Sequence, residues 1–263
     1  MRFRPCIDIH DGKVKQLVGA TISDLAKTDD GPKENYVSTK EASYYSKLFK
    51  KDGLTGGHII LLNKKGTAEY EATKKAALDA LAAFPGGMQV GGGIDLDNAL
   101  EFIEAGASHV IVTSFVFNDG RVDWDALKAL SALVGRERLV LDLSCKRVDD
   151  KYMVVTDRWQ KTTEEIIDYE FLDRLAVYCD EFLVHAADVE GQQQGIDRDL
   201  AYLLGRYKQM KITYAGGISD YADIELISYM SDNKLDFTIG SALDLYGGNL
   251  SYEKILNITN TAR

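Results

Sequence analysis

Along the 263-residue chain, short runs rich in β-branched and apolar residues alternate about eight times with longer segments of mixed polarity. The strand candidates fall at 3–8, 58–62, 88–90, 109–112, 138–143, 181–185, 211–214 and 236–239. Several are apolar at consecutive positions, so both faces need cover, as in a parallel sheet packed under helices. The intervening segments carry helix-start signals. Ser38 with Glu41 reads as a capping box opening a helix over 39–51, and Thr162 with Glu165 as one opening a helix that runs to about Cys179. Asp95 and Ser219 each follow Gly-Gly-Ile and are candidate caps for the next helix. Eight such β/α pairs in a chain of this length predict an α/β fold of the (β/α)8 TIM-barrel class, not an open sheet. With 3 prolines and no low-complexity run, no linker is visible, and a single domain over 1–263 is expected.

The pattern also repeats. The segments 5–8 (PCID), 90–94 (VGGGI) and 110–114 (VIVTS) have counterparts in 139–142 (LVLD), 214–218 (YAGGI) and 237–241 (FTIGS). Asp8 and Asp142 lie 134 residues apart, and Gly93 and Gly217 lie 124 apart, which predicts a twofold internal half-barrel repeat. A duplication of this kind brings two carboxylates and two glycine turns to one end of the barrel. Two loops are longer than closure needs. One spans 11–37, with Gly12, Gly19 and the polar KTDDGPKEN stretch; the other spans 144–161 and reads as a short hairpin turning at Asp149 and Asp150 before Trp159. Each follows an odd-numbered strand, over the C-terminal face where barrel active sites sit.

Composition narrows the class. Hydrophobic residues make up 45% of the chain, enough for one large core. No stretch approaches the roughly 18 apolar residues of a spanning helix, and the N-terminal MRFRPCID runs into a strand instead of a signal sequence. A soluble, cytoplasmic protein without a membrane partner is expected. Cys6, Cys145 and Cys179 show no CxxC spacing and read as buried thiols in a reducing compartment. The formal charge of −10 argues against a nucleic-acid partner, which requires clustered Lys and Arg. A phosphorylated small molecule stays open if backbone N–H groups hold the phosphate. Oligomeric state is not legible, and a monomer is the working expectation.

Asp8 and Asp142 close equivalent strands, so barrel symmetry should place them across the mouth from one another. Two carboxylates in unlike surroundings can serve as base and acid once burial and neighbours separate their pKa values. Gly91, Gly92 and Gly93, and then Gly216 and Gly217, stand where a strand turns into a helix. Glycine there lets the backbone approach a phosphate; the alternative is a tight turn chosen for shape. Thr113 with Ser114, and Gly240 with Ser241, end the next strand in each half and add a hydroxyl. His185, Asp188 and Glu190 follow the sixth strand; alone they read as a rim histidine and solvated acids, and only their place at the mouth makes them candidates. Trp159 either stacks on a planar heterocycle or packs its loop on the rim. His10, His58, His109 and His185 show no metal-binding spacing, no GxSxG is present, and GGGID is not a dinucleotide fingerprint. Acid/base chemistry with no metal and no cofactor is expected.

Taken in order, RPCIDIHDGKVKQLVG, QVGGGID, LVLDLS, HAADVEG, YAGGIS and TIGSALDLYGG resemble the histidine-biosynthesis barrels over nearly the whole chain. Within them the chain looks like the isomerase of phosphoribosyl-formimino-aminoimidazole carboxamide ribotide. The resemblance implies an Amadori rearrangement of an aminoaldose to an aminoketose, on a small-molecule substrate carrying a phosphate at each end. It implies that Asp8 is the base for the ribose C2 proton, that Asp142 lies opposite, and that Asp142 and Glu190 compete as the acid at the ring oxygen. Some positions depart from the widespread bacterial pattern. His185 replaces a threonine, Glu190 an aspartate and Gln16 an arginine, and LLN at 61–63 stands where VDLD is usual. HAADVEG is similar to the eukaryotic-type branch, and the changes read together as a lineage variant.

Three rivals stay open. The cyclase of the same pathway shares both aspartates, but its usual RDxGDP segment is replaced here by GLTGGHIILLN. Phosphoribosylanthranilate isomerisation would need Cys6 as base, two residues before Asp8 on the same strand face. A non-catalytic phosphosugar-binding barrel would have no need of both aspartates and both glycine turns.

Overall fold

The computed structural model describes residues 1–17, 34–157, 159–190 and 195–261. Eight parallel strands lie edge to edge in chain order: β1 (Cys6–His10), β2 (Gly57–Leu61), β3 (Met88–Gly91), β4 (Val110–Val112), β5 (Leu139–Asp142), β6 (Glu181–His185), β7 (Lys211–Ala215) and β8 (Asp236–Phe237). The ladder closes on itself. Phe3 bridges Phe237 in parallel, Arg4 N–H donates to Phe237 O at 2.8 Å, and Phe237 N–H donates to Arg2 O at 3.1 Å. One helix follows each strand: α1 (Ala42–Lys51), α2 (Ala68–Ala83), α3 (Ala99–Glu104), α4 (Trp124–Val134), α5 (Tyr169–Ala176), α6 (Arg198–Arg206), α7 (Tyr221–Ser231) and α8 (Tyr252–Thr261). This is the (β/α)8 barrel that the alternation implied.

Helix starts differ from the sequence reading. Ser38 does not cap α1; its Oγ donates to Lys40 O and accepts from Lys40 N–H, a local turn that ends before Glu41. The expected helix from Thr162 is instead a strand, Lys161–Ile166, the third in a small sheet with Cys145–Val148 and Lys151–Thr156. Cross-strand partners win there: Thr163 Oγ1 donates to Val154 O at 2.8 Å, and Glu165 Oε1 accepts from Val122 N–H at 3.1 Å. Helix α5 begins later, where the Asp168 carboxylate accepts from Phe171 N–H at 2.8 Å. Asp95 and Ser219 are not the caps either; α3 starts after Asn98, and α7 after Asp220, which forms a capping box with Asp223. The hairpin turning at Asp149 and Asp150 is present, with Val148 paired to Lys151.

Two apolar cores result. One lies between strands and helices and includes Ile7, Ile9, Phe49, Ile59, Phe102, Leu127 and Phe182. The other fills the barrel with Ile60, Ile111, Val140, Leu183 and Ala215. Below the second, at the N-terminal end, the barrel is plugged by polar groups that the reading of wholly apolar strands missed. Arg4 Nε donates to Asp236 at 2.8 Å and its Nη2 to Glu181 at 3.4 Å, while Gln89 and Thr213 donate to Glu181 at 3.1 and 2.7 Å. Gly56 has to lack a side chain, since a Cβ would sit 1.4 Å from Arg4 Nη1. The plug seals one end of the barrel and leaves the other for chemistry. Among the described residues, no helix is long and apolar enough to cross a membrane. All three cysteines are free and buried.

Candidate active site

At the C-terminal end of β1, Ile7 and Ile9 turn outward into the helix-facing core and leave Asp8 directed into the barrel. The chain then folds back, with Lys13–Leu17 antiparallel to β1 and Glu34–Val37 beyond it. This brings buried Gln16 to the mouth, where its Nε2 donates to Asp8 Oδ2 at 3.0 Å. Its Oε1 occupies the space that a Cβ on Gly240 would need, at 2.6 Å. Burial raises the Asp8 carboxyl, and the Glu190 carboxylate raises it further, to about 7; His185 and the Gln16 amide pull the other way.

Asp142, the last residue of β5, meets the opposite surroundings. Ser144 donates to its Oδ1 through both backbone N–H (3.0 Å) and hydroxyl (2.8 Å), and His185 Nδ1 lies 3.3 Å from the same oxygen. Burial alone would raise this carboxyl, but the His185 charge and the bonds from His185, Ser144 and Thr113 hold it below the ordinary carboxylate range. In return Asp142 pushes the His185 imidazole up to about 9, overcoming burial. The His185 ring contacts those of His58, centroids 6.3 Å apart, and Trp159, centroids 6.2 Å apart. His58 is pushed down to about 3, first by burial and then by the His185 charge, so it is neutral. Trp159 holds φ of +67°, a left-handed backbone that bulky residues avoid, and its carbonyl accepts from Lys146 Nζ at 3.1 Å. Its ring meets that of His185 in a tilted contact at 45°.

The glycine turns repeat in backbone geometry. Gly92 and Gly93 have φ of +101° and +74°; Gly216 and Gly217 have +114° and +77°. A Cβ on Gly92 would fall 2.1 Å from Leu61 O, and one on Gly216 would fall 2.9 Å from Ala186 O. In both halves the turn thus crosses the end of the preceding strand too closely for any side chain. Their surroundings differ. Gly216, Gly217, Gly240 and Ser241 line a small, shallow cleft together with Glu190 and Thr238. In the first half, Lys65 packs on Gly93 and pairs with Asp95, Thr113 turns to Asp142, and Ser114 accepts from Asp157 N–H at 3.2 Å. At the start of α7 the N–H groups of Ser219 and Asp220 are taken by the Asp223 carboxylate, and that of Asp223 by Asp220.

Glu190 is half-buried, raised by burial and lowered by His185. Asp188 serves its loop, accepting from Arg147 N–H at 2.8 Å. Gly91 is in β3 itself, and Gly19 lies outside the described residues. Sequence reasoning missed Ser144 and the polar partnership of Gln16. Ser144 was discoverable, since an Asp followed two residues later by a Ser is a common local side-chain-to-backbone turn. Among the described residues no three His, Cys, Asp or Glu side chains converge to hold a metal. A separate concavity of about 410 Å³ lies at the other end of the barrel beside Arg136, Lys208 and Lys211, and contains none of the mouth residues.

Fold and mouth together define a (β/α)8 barrel with acid/base side chains at its C-terminal end. The family model described as histidine biosynthesis protein matches residues 2–251, and the chain belongs to that family. It is 53% identical over 258 residues, 97% of this chain and 81% of the relative, to a Medicago truncatula protein named 1-(5-phosphoribosyl)-5-((5-phosphoribosylamino)methylideneamino) imidazole-4-carboxamide isomerase HISN3, chloroplastic. Isomerases of the same chemical name from Yarrowia lipolytica and Saccharomyces cerevisiae are 44% and 41% identical. They cover 94% and 95% of this chain, and 93% and 94% of their own length. Plant and fungal relatives agree with the eukaryotic-type HAADVEG segment.

Proposed function

We propose that the chain is an intramolecular aldose-ketose isomerase of histidine biosynthesis. Its substrate is the imidazole-4-carboxamide bearing two phosphoribosyl groups, converted from aminoaldose to aminoketose by an Amadori rearrangement. The observation that carries the reading is the unequal pair at the mouth, a carboxyl poised near neutrality at Asp8 against an ionised Asp142 bonded to His185. A base with a pKa near working pH is both available and strong enough to take a carbon-bound proton. The relatives supply the identity of the substrate.

In this reading Asp8 takes the ribose C2 proton and hands it to C1, while Gln16 holds the carboxylate in place. One phosphate lies in the cleft of Gly216, Gly217, Gly240 and Ser241, and the other beside the turn of Gly92 and Gly93, with Lys65 at hand and Ser114 near. Gripping both ends fixes the reacting ribose between them and turns remote binding energy into orientation. Trp159 stacks on the imidazole. One chain supplies every group, so a monomer suffices. The compartment is reducing, a reading supported by the free, buried cysteines. Cys6 is an unsuitable base for an anthranilate substrate, because burial and then Asp8 hold it as a neutral thiol.

The test is conversion of the purified bis-phosphorylated aminoaldose, with and without ammonium. Aminoketose should form at the same rate in both, with no ammonium consumed; ammonium-dependent product would point to the cyclase. Asp8→Asn should abolish turnover, a loss of roughly a thousandfold or more. Substrate affinity should stay within about tenfold, or about 1.4 kcal/mol.

A further inference from the structure

We infer that, within the isomerisation proposed above, His185 is the proton donor to the ribose ring oxygen and Asp142 is the residue that positions it. Neither carboxyl candidate is then the acid. Geometry carries the argument. His185 ends β6 at the mouth with its side chain 16% exposed, and Asp142 is 14% exposed beside it. The Nδ1 contact to Asp142 leaves Nε2 as the nitrogen that can face a reactant, and fixes the tautomer in the manner of an Asp-His pair. Ring contacts with Trp159, tilted by 45°, and with His58, edge-on at 77°, restrict the orientation of the imidazole.

Asp142 is a poor donor for a reason visible in its bonding. Ser144 N–H, Ser144 Oγ, Thr113 and His185 all act on its carboxylate. A carboxyl so supplied with donors is held as an acceptor. Glu190 lies beside the neighbouring end of β7, where its carboxylate approaches Gly216 and lines the glycine cleft. Within the proposed function it faces the phosphate cleft, and its charge helps hold His185 protonated. The charged groups facing His185 are Asp142, Glu190 and Asp8, all anionic when ionised, while His58 is neutral. This field keeps the imidazole charged at neutral pH.

The step balances. His185 Nε2 gives its proton to the ring oxygen as the C1–O bond breaks with its electron pair on oxygen, and the amine lone pair forms C1=N. Asp8 removes the C2 proton; those electrons form C1=C2 and return the lone pair to nitrogen. The enol oxygen at C2 then returns a proton to His185 while Asp8 delivers its proton to C1, leaving the ketone and both groups as they began. No oxidant or co-reactant enters.

The experiment is the pH profile of kcat/KM for the full chain and four variants, with folding checked by circular dichroism. The wild type should rise through about 7 as Asp8 ionises and fall through about 9 as His185 loses its proton. His185→Gln should lose about a hundredfold to a thousandfold in kcat and lack the alkaline limb. Asp142→Asn should keep that limb but move it to lower pH, since the lost anion is what raises His185. Glu190→Gln should keep it too, moved down by less than in Asp142→Asn, since Glu190 is the weaker of the two anionic neighbours. Imidazole added to His185→Gly should restore activity by about tenfold or more. An alkaline limb that survives in His185→Gln, or disappears in Glu190→Gln, overturns the assignment. A wild type that does not convert the substrate instead defeats the functional reading. The imidazole charge is then still read by NMR titration of the free chain, where a His185 midpoint below 7 also overturns the proposal.

Discussion

Asp8 and Asp142 stand at matching places in two copies of one ancestral half, and the two copies have kept their backbones and exchanged their chemistry. The glycine turns superpose in dihedral angle to within about 15°, and each crosses a preceding strand end at a distance that forbids a side chain. Around that shared frame the side chains diverge. Asp8 receives one amide donor and faces another acid. Asp142 receives donors from Ser144, Thr113 and His185. An isomerase needs a base and an acid at one mouth, and a strictly symmetric duplication would provide two of the same. The comparison teaches that duplication supplies position, while the second shell of donors decides role.

The largest effect should come from removing each aspartate in turn. Asp8→Asn deletes the proposed base for the carbon-bound proton and should cost roughly a thousandfold or more at every pH. Asp142→Asn leaves the proton donor present but badly held and less charged, so the loss should be about a hundredfold at neutral pH and shrink as pH falls. Steady-state kinetics from pH 5.5 to 9.5 read both. Equal losses with the same pH dependence would mean that the two halves contribute interchangeably, and the comparison would fail.

A smaller effect distinguishes the two glycine turns. Gly217→Ala puts a methyl 2.2 Å from Gly195 O with φ at +77°, whereas Gly93→Ala meets only Lys65 Cβ at 3.3 Å with nearly the same φ. Both carry the backbone cost of about 1 kcal/mol for a side chain in the left-handed region. Only the first must also displace a neighbouring backbone at the open cleft. KM should therefore rise by roughly thirtyfold for Gly217→Ala and by no more than about fivefold for Gly93→Ala. The reverse order would show that the first-half turn is the tighter phosphate site.

The barrel itself was legible because eight strand-like runs at regular spacing admit few closures, and the doubled Asp, Gly-Gly and hydroxyl pattern pointed to one mouth. Boundaries failed where local signals competed with tertiary partners. Thr162 and Glu165 carry a good capping pattern, yet Thr163 and Glu165 find bonds across a small sheet that a helix could not offer. The polar plug of Arg4, Gln89, Glu181 and Asp236 was hidden because each residue sits singly in an apolar run, and only barrel closure brings them together. At the site, the candidates Asp8, Asp142, His185 and Glu190 do converge in one electrostatic cluster. What sequence could not give was the pairing within it, since Gln16 reaches Asp8 only after the first loop folds back along β1.

The finest test of the comparison is stability against pH, where the two aspartates should act with opposite sign. The Asp8 carboxyl rises from its ordinary 3.8 to about 7 in the folded chain, so folding favours its protonated form. Its penalty is absent below about 4, grows as pH rises and is complete above 7. Asp8→Asn removes that penalty and should stabilise the fold at pH 8 by roughly 2 kcal/mol, a value reduced from the full linkage figure to allow for water at the rim. The gain should fade towards pH 4. Asp142 is depressed, so its contribution is present above the ordinary carboxylate range and is lost as pH falls through the folded value. Asp142→Asn should therefore lower stability at pH 8 by about 1–2 kcal/mol, a deficit that closes under acid. Each kcal/mol moves Tm by only about 2–4 °C in a chain of this size, so scans at pH 4.5, 6 and 8 with both variants side by side are needed. A rise for one and a fall for the other, diverging as pH increases, is the expected pattern. Parallel shifts of one sign would mean that the mouth does not hold its two carboxyls in opposite states.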